Sequence, residues 1–176
     1  TIVFGLAWGD EGKGKVVSQL ASSGQYDMVC RWAGGNNAGH TIYKNGKKYK
    51  THLIPSGVFY DVLSVIGPGC VVHWASFIEE IAYLKERGFD TSLVKISPKA
   101  HIVLDKHIKD DIENLSSRLG TTSKGIAPCY AAKASRSGIR AIDLKQIRAS
   151  GFLWDEKLSG NILCEGAQGF WLDMDW

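Results

Sequence analysis

The chain has 176 residues, 44% of them apolar and 22% charged, with a formal charge of +3. This is the balance of one ordinary globular domain with enough residues for a sizeable core. So small a positive excess gives no case for the basic face of a nucleic-acid binder, although it suits an anionic small molecule.

In chain order, Thr1 to Leu6 is an apolar run suited to a buried parallel strand. A glycine-rich loop follows, and then Val16 to Ser22, with Val16, Val17, Leu20 and Ala21 at helical spacing. Tyr26 to Trp32 reads as a second strand, completing a β-loop-α-β unit. Ile42 to Tyr49 reads as a hairpin, because Asn45-Gly46 suits a type I′ turn. Leu63 to Ile66 is a strand, and His73 to Arg87 is a helix stopped by Gly88. Val94 to Ser97 reads as a strand, Leu104 to Leu119 as a polar helix, and Lys106 to Arg118 as its solvated face. Thr121 to Arg140 reads as a loop-rich stretch, and Asn161 to Glu165 as the last strand. The expected fold is α/β: a mostly parallel sheet flanked by helices, with a P-loop-like nucleotide-binding architecture.

No secretory signal or membrane-length apolar run is present, so a cytoplasmic protein without membrane or nucleic-acid partners is expected. Cys30, Cys70, Cys129 and Cys164 lack zinc-type spacing and read as reduced thiols. His52, His73, His101 and His107 lack metal-like spacing and read as hydrogen-bonding or surface residues. Trp32, Trp74, Trp154 and Trp171 read as packing residues. Thr1 opens inside a predicted strand and Trp176 closes an apolar-acidic run without a cap, so residues 1–176 are expected to be a piece of a longer protein.

Glycine, at 20 residues, is in excess and clustered. The sharpest cluster is Gly9-Asp10-Glu11-Gly12-Lys13-Gly14-Lys15, between a strand and a helix. Free amides at a helix start attract anions, glycines let the backbone wrap phosphate oxygens, and Lys13 and Lys15 add charge. The usual P-loop pattern G-x-x-x-x-G-K-[ST] is not met, because Val16 replaces the hydroxyl residue that ligates magnesium. Asp10 offers a hard oxygen in its place. Carboxylates beside an anion site favour a metal or acid-base role over a simple cradle.

Further blocks follow: Arg31-Trp-Ala-Gly-Gly-Asn-Asn-Ala-Gly-His-Thr41, Thr51-His-Leu-Ile-Pro-Ser-Gly57, Gly120-Thr-Thr-Ser-Lys-Gly-Ile-Ala-Pro128 and Glu165-Gly-Ala-Gln-Gly169. Together with Trp8 to Lys15, these blocks in this order resemble the adenylosuccinate synthetases over nearly the whole chain. The resemblance implies that GTP phosphorylates the 6-oxygen of IMP and that L-aspartate then displaces the phosphate, with Mg2+ required. It implies Asp10 as general base and metal ligand, His40 as the second catalytic residue, and the Gly39 carbonyl as a metal ligand. It places GTP against Gly9 to Lys15 and against Gly39, His40 and Thr41. It places IMP against Asp10, Glu11, Gly12, Lys13, Asn37, Ala38, Gly39, His40, Thr122 and Gln168. It also implies a homodimer in which Arg136 reaches the neighbouring subunit's IMP.

The likeness has departures. Ser123-Lys124 stands where the family usually has Gly-Arg, and a lysine lacks the arginine fork. The Asp143 to Glu165 stretch is short, as in archaeal and viral forms. Some viral relatives act on deoxyguanylate and depart from the aspartate at position 10, which this chain keeps. The rivals are thus a synthetase for another purine monophosphate such as dGMP, a P-loop GTPase, and a non-catalytic nucleotide binder. The family's aspartate loop and guanine-recognition segment lie beyond the Gln168 block. Residues 1–176 are accordingly expected to be an N-terminal portion with no synthetase activity alone.

Overall fold

The structure, a computed structural model, describes residues 1–173. Among these, five strands form one all-parallel sheet: β1 (Ile2–Val3), β2 (Met28–Arg31), β5 (Leu63–Ile66), β7 (Val94–Ile96) and β9 (Ile162–Glu165). The spatial order is β1-β9-β2-β5-β7. The last strand in sequence therefore slots between the first two, and Met28-Val-Cys-Arg31 at the centre is buried throughout, as a two-sided parallel strand requires. The hairpin of β3 (His40–Lys44) and β4 (Lys47–Thr51) and the short pair β6 (Val71–Val72) and β8 (His101–Ile102) lie outside this sheet. Asn45 and Gly46 take φ of 52° and 73°, the left-handed values expected of the type I′ turn.

Two long helices cover one face of the sheet's residues. Helix α1 (Lys13–Ala21) lays Val17 and Ala21 on Val29 and Leu163. Helix α2 (Trp74–Glu86) starts as expected after His73, whose ring accepts the Ser76 N–H, and ends before Gly88 at φ 82°. Its Phe77, Ile81 and Leu84 enter the main core with Ile66, Ile96 and Phe59. Phe77 stacks on Trp74 at 5.4 Å and meets Phe152 edge-on at 5.0 Å. Met28, Cys30 and Val65 point to the other side of the sheet, where Trp154 packs.

Several expectations need correction. The first run pairs only at Ile2–Val3 and lies at the sheet edge, leaving Ile2, Phe4 and Leu6 at 64%, 59% and 69% exposure. Among the described residues one neighbour, β9, supplies its ladder before the chain departs into the loop. The helix expected from Leu104 to Leu119 divides into α3 (Asp105–Asp110), a π-helical turn (Asp111–Leu115) and α4 (Ser116–Leu119). Its face is not wholly solvated. Asp111 is buried and accepts the Thr121 hydroxyl at 2.5 Å and the Gly125 N–H at 2.8 Å, partners that a charge pattern does not reveal. Within the stretch read as loop lies α5 (Ile126–Ala134). Pro128 sits in its first turn, where it removes no helical bond, so proline here does not break the helix. A last short helix, α6 (Lys145–Arg148), buries Ile147. Trp74 and Trp154 pack in the interior and Trp171 packs on Phe170 and Trp8 at the surface, whereas Trp32 is 40% exposed.

The four cysteines are free, and burial pushes the Cys30 thiol to about 12 and that of Cys129 to about 11, which leaves both inert. Among the described residues no helix is long and apolar enough to cross a membrane.

Phe77→Ala should cost about 3–5 kcal/mol of unfolding free energy, read as a lowered denaturant midpoint. A midpoint unchanged from the parent chain would show that this aromatic cluster does not organise the core.

Candidate nucleotide-binding site

In open parallel sheets ligands bind beyond the carboxyl ends of the strands. Here the chain segments that follow β1, β9 and β2, three neighbouring strands, meet at that end. The first carries the glycine-lysine loop. Gly9 and Gly12 take φ of 104° and 82°, and Gly12 caps α1 without any side chain, so no side chain occupies the amides of the helix start. Lys13 is buried, its ammonium 3.0 Å from the Gly9 carbonyl and 3.1 Å from Glu11. The other Glu11 oxygen accepts the Ala7 N–H at 2.7 Å. That bond, the N–H of Glu11 itself and the Lys13 ammonium outweigh desolvation and hold the Glu11 carboxyl at about 2. Glu11 thereby braces the loop.

The segment after β9 closes on this loop. Phe170 and Trp171 donate their N–H groups to the carbonyls of Gly5 and Ala7 at 3.0 and 3.1 Å. A Cβ at Gly169 would lie 2.1 Å from the Ala7 carbonyl oxygen, so only glycine fits there. Gly14 is constrained less severely, because a Cβ would lie 2.9 Å from that of His40.

His40 opens β3 and is 5% exposed. Its Nδ1 pairs with the carboxylate of Glu165, the fully buried last residue of β9. Glu165 also accepts the Ser56 N–H at 2.7 Å and the Ser56 hydroxyl at 2.9 Å. Burial pushes its carboxyl up. The opposing pull of His40, Arg31 and the Ser56 N–H is greater and holds it below the ordinary carboxylate range. With Nδ1 engaged, Nε2 is the ring nitrogen left for a ligand.

Beside His40 lies a cleft of about 380 Å³. It is lined by Gly9, Asp10, Gly12, Lys13, Gly14, Lys15, Asn37, Ala38, Gly39, His40, Thr41, Thr122 and Gln168, with Trp8 and Leu172 at its apolar side. The residues marked in the sequence for nucleotide and purine contacts thus come together, with two exceptions. Glu11 turns back onto Ala7 and Lys13, and Arg136 stands exposed just past α5, at φ 62°. A second cavity, of about 900 Å³, shares Asn37 and Thr122 and is walled by Ile126, Ala127, Tyr130 and Ala131 of α5.

Among the described residues no group of three or more His, Cys, Asp or Glu side chains forms a metal cage. Asp10 and Gly39 are exposed within the cleft, and a Cβ at Gly39 would meet nothing within 4 Å. A carboxylate and a backbone segment exposed in one cleft fit a magnesium ion that takes its other ligands from phosphate and water.

Sequence reasoning gave no role to Glu165, Ser56 or Arg31. A signal was present for Glu165, since a carboxylate closing the apolar strand Ile162-Leu-Cys-Glu165 demands a buried partner. Arg31 is its register partner on β2 and is 1% exposed.

Residues 2–152 match the family model for adenylosuccinate synthetase. The adenylosuccinate synthetase of Shouchella clausii is 51% identical over 148 residues, which cover 81% of this chain and 34% of the relative. That of a Thermoanaerobacter species is 48% identical over 166 residues, covering 92% and 38%. This chain therefore spans about a third of the length of these curated relatives. Among solved structures, the fully ligated adenylosuccinate synthetase of Plasmodium falciparum superposes with a TM-score of 0.80 at 33% identity, over 99% of this chain and 52% of that one. The cyanophage S-2L succinoaminodeoxyadenylate synthetase, bound to dGMP and dATP, has the same TM-score and coverage at 21% identity, a likeness of fold alone.

Glu165→Gln removes one partner of a buried pair and should cost about 3–5 kcal/mol near neutral pH. The folded-state carboxyl lies below its unfolded value of 4.5. Its contribution is therefore complete above that value and is lost as pH falls through the depressed one. Denaturant midpoints of parent and variant should converge over that acid range, and a constant gap would argue against the pairing.

Proposed function

This chain belongs to the adenylosuccinate synthetase family, and on that premise we propose that the protein of which it forms part joins L-aspartate to IMP at the expense of GTP. The observation that carries this reading is the Glu165-held His40 set in one cleft with the Gly9 to Lys15 loop, Asp10, Asn37 and Gln168.

In the proposed first step Asp10 takes the N1 proton of IMP. Charge moves onto O6, which attacks the γ-phosphorus of GTP as the bond to GDP breaks. The loop amides and the Lys13 and Lys15 ammonium groups hold the phosphates against α1. His40 turns Nε2 to the charge growing on the departing GDP, while Glu165 fixes the plane of its ring. In the second step the amine of aspartate attacks C6, phosphate leaves, and adenylosuccinate forms. Asp10 and the Gly39 carbonyl would hold Mg2+, which when bound offsets the negative charge of the transferring phosphoryl group. Thr41 would meet GTP, Asn37 and Gln168 the IMP, and Thr122 its 5′-phosphate.

Arg136 would act on a neighbouring subunit. Supporting this is α5, which presents Ala127, Ala131 and Ala134 to solvent just before it, a surface of small side chains on which a second copy can approach closely. A cytoplasmic setting suits four free thiols, three of them buried. Retention of Asp10 favours IMP over dGMP, because the viral relatives that act on deoxyguanylate depart from an aspartate at this position. Val16 stands where a P-loop GTPase places its metal-binding hydroxyl.

The full-length protein supplied with GTP, IMP, aspartate and magnesium should form adenylosuccinate, followed by absorbance, and dGMP in place of IMP should not support turnover. Asp10→Asn should lower kcat by ~10²–10⁴-fold, and residues 1–176 alone should make no product. Full activity in the Asn variant would refute Asp10 as the base.

A further inference from the structure

The segment from Thr51 to Gly57 forms a strap behind the cleft, and buried carboxylates grip it at two points. At one, Glu80 of α2, 8% exposed, accepts the backbone N–H groups of His52, Leu53 and Ile54 at 2.8, 3.1 and 3.2 Å. At the other, Ser56 gives both its N–H and its hydroxyl to Glu165. At the Glu80 end the strap also reaches toward the cleft. His52 Nδ1 lies 2.7 Å from the Ala38 carbonyl, and the His52 carbonyl accepts from the buried Arg31 guanidinium.

These contacts converge on His40. Glu165 holds its ring, and Ala38, two residues earlier, is held by His52. A glutamate withdrawn from water into three backbone hydrogen bonds is an anchor that a hydrophobic residue cannot replace, because three amides would be left without acceptors. The carboxyl of Glu80 is pushed up by burial, against the pull of those same amides and of His52.

We infer that Glu80 is a positioning residue for the reaction proposed above: it clamps the amides of residues 52–54 and so holds the strap that fixes His40 through Glu165 on one side and Ala38 on the other. The inference rests on the synthetase reading for its catalytic consequence and on the hydrogen bonds alone for its structural one.

The test uses the full-length protein with Glu80→Gln, whose amide nitrogen faces donors, and Glu79→Gln on the exposed face of α2 as control. Glu80→Gln should lose roughly ten- to hundredfold in kcat, with KM for GTP and IMP held within about twofold. The His40 ring resonance in its NMR spectrum should move, and the control should match the parent in every readout. An unchanged kcat and resonance, or a loss confined to KM, overturns the inference. Should Glu80→Gln fail to fold, Glu80→Asp takes its place, with a smaller kcat loss and the same resonance shift expected. Amide exchange in the unmodified protein gives an independent reading: residues 52–54 should exchange about a hundredfold more slowly than the exposed hairpin amides, and equal rates refute the clamp. If the parent protein makes no adenylosuccinate, the synthetase reading fails, while the resonance and exchange data still decide the role of Glu80.

Discussion

A carboxylate with no exposure to water needs partners, and the arrangement of the cleft follows from the partners Glu165 has. They come from distant parts of the chain: His40 at a separation of 125 residues and Ser56 at 109. Arg31 lies beside it in register on β2. These groups meet only when β9 is inserted between β1 and β2. The polar cluster and the parallel sheet are therefore one structural event. A strand displaced by one residue would turn Glu165 to the opposite face, toward Met28 and Cys30, and leave His40 unsupported.

That placement also decides what the loops can do. The carboxyl ends of β1, β9 and β2 are adjacent, so the glycine-lysine loop, the Gly166 to Gly169 turn and the Asn37 to Thr41 segment share one space. Close approach is secured where side chains are absent. Gly169 lets the β9 turn lie against Ala7 and Gly9, and Gly14 lets α1 press on His40. Charge in the loop is arranged rather than summed. Glu11 takes up part of the Lys13 charge and a backbone amide, leaving Lys15 at the exposed rim and Asp10 facing the opening.

A second level of support stands behind the first. Glu80 and Asp111 are carboxylates withdrawn from solvent, and each is matched chiefly by backbone N–H groups or a hydroxyl of a loop bordering the site. Asp111 ties the π-helical turn to Thr121 and Gly125, beside Thr122, which lines both cavities. Loops of this length are held in place by directional bonds, because they bury too little apolar surface to be fixed by packing alone.

Much of this was legible in the residues themselves. Apolar runs bounded by turn residues marked the strands β2, β5, β7 and β9. The Asn45-Gly46 turn specified its hairpin, and the spacing after His73 specified α2, since each depends on periodicity or turn chemistry local to its segment. The loop from Gly9 to Lys15 and the blocks around Asn37, His40, Thr122 and Gln168 were visible as the makings of one site. The helix at Ile126–Ala134 was masked locally, by Pro128 in its first turn and the glycines before it. Hidden from the sequence were the edge position of Ile2–Val3, the inward turn of Asp111, the partners of Glu165, and the roles of Ser56, Arg31 and Glu80. Each of these depends on which residues the sheet order brings together over a hundred positions or on partners donated by another loop. Local propensity carries no record of such neighbours, and burial of a charge becomes intelligible only once they are in place.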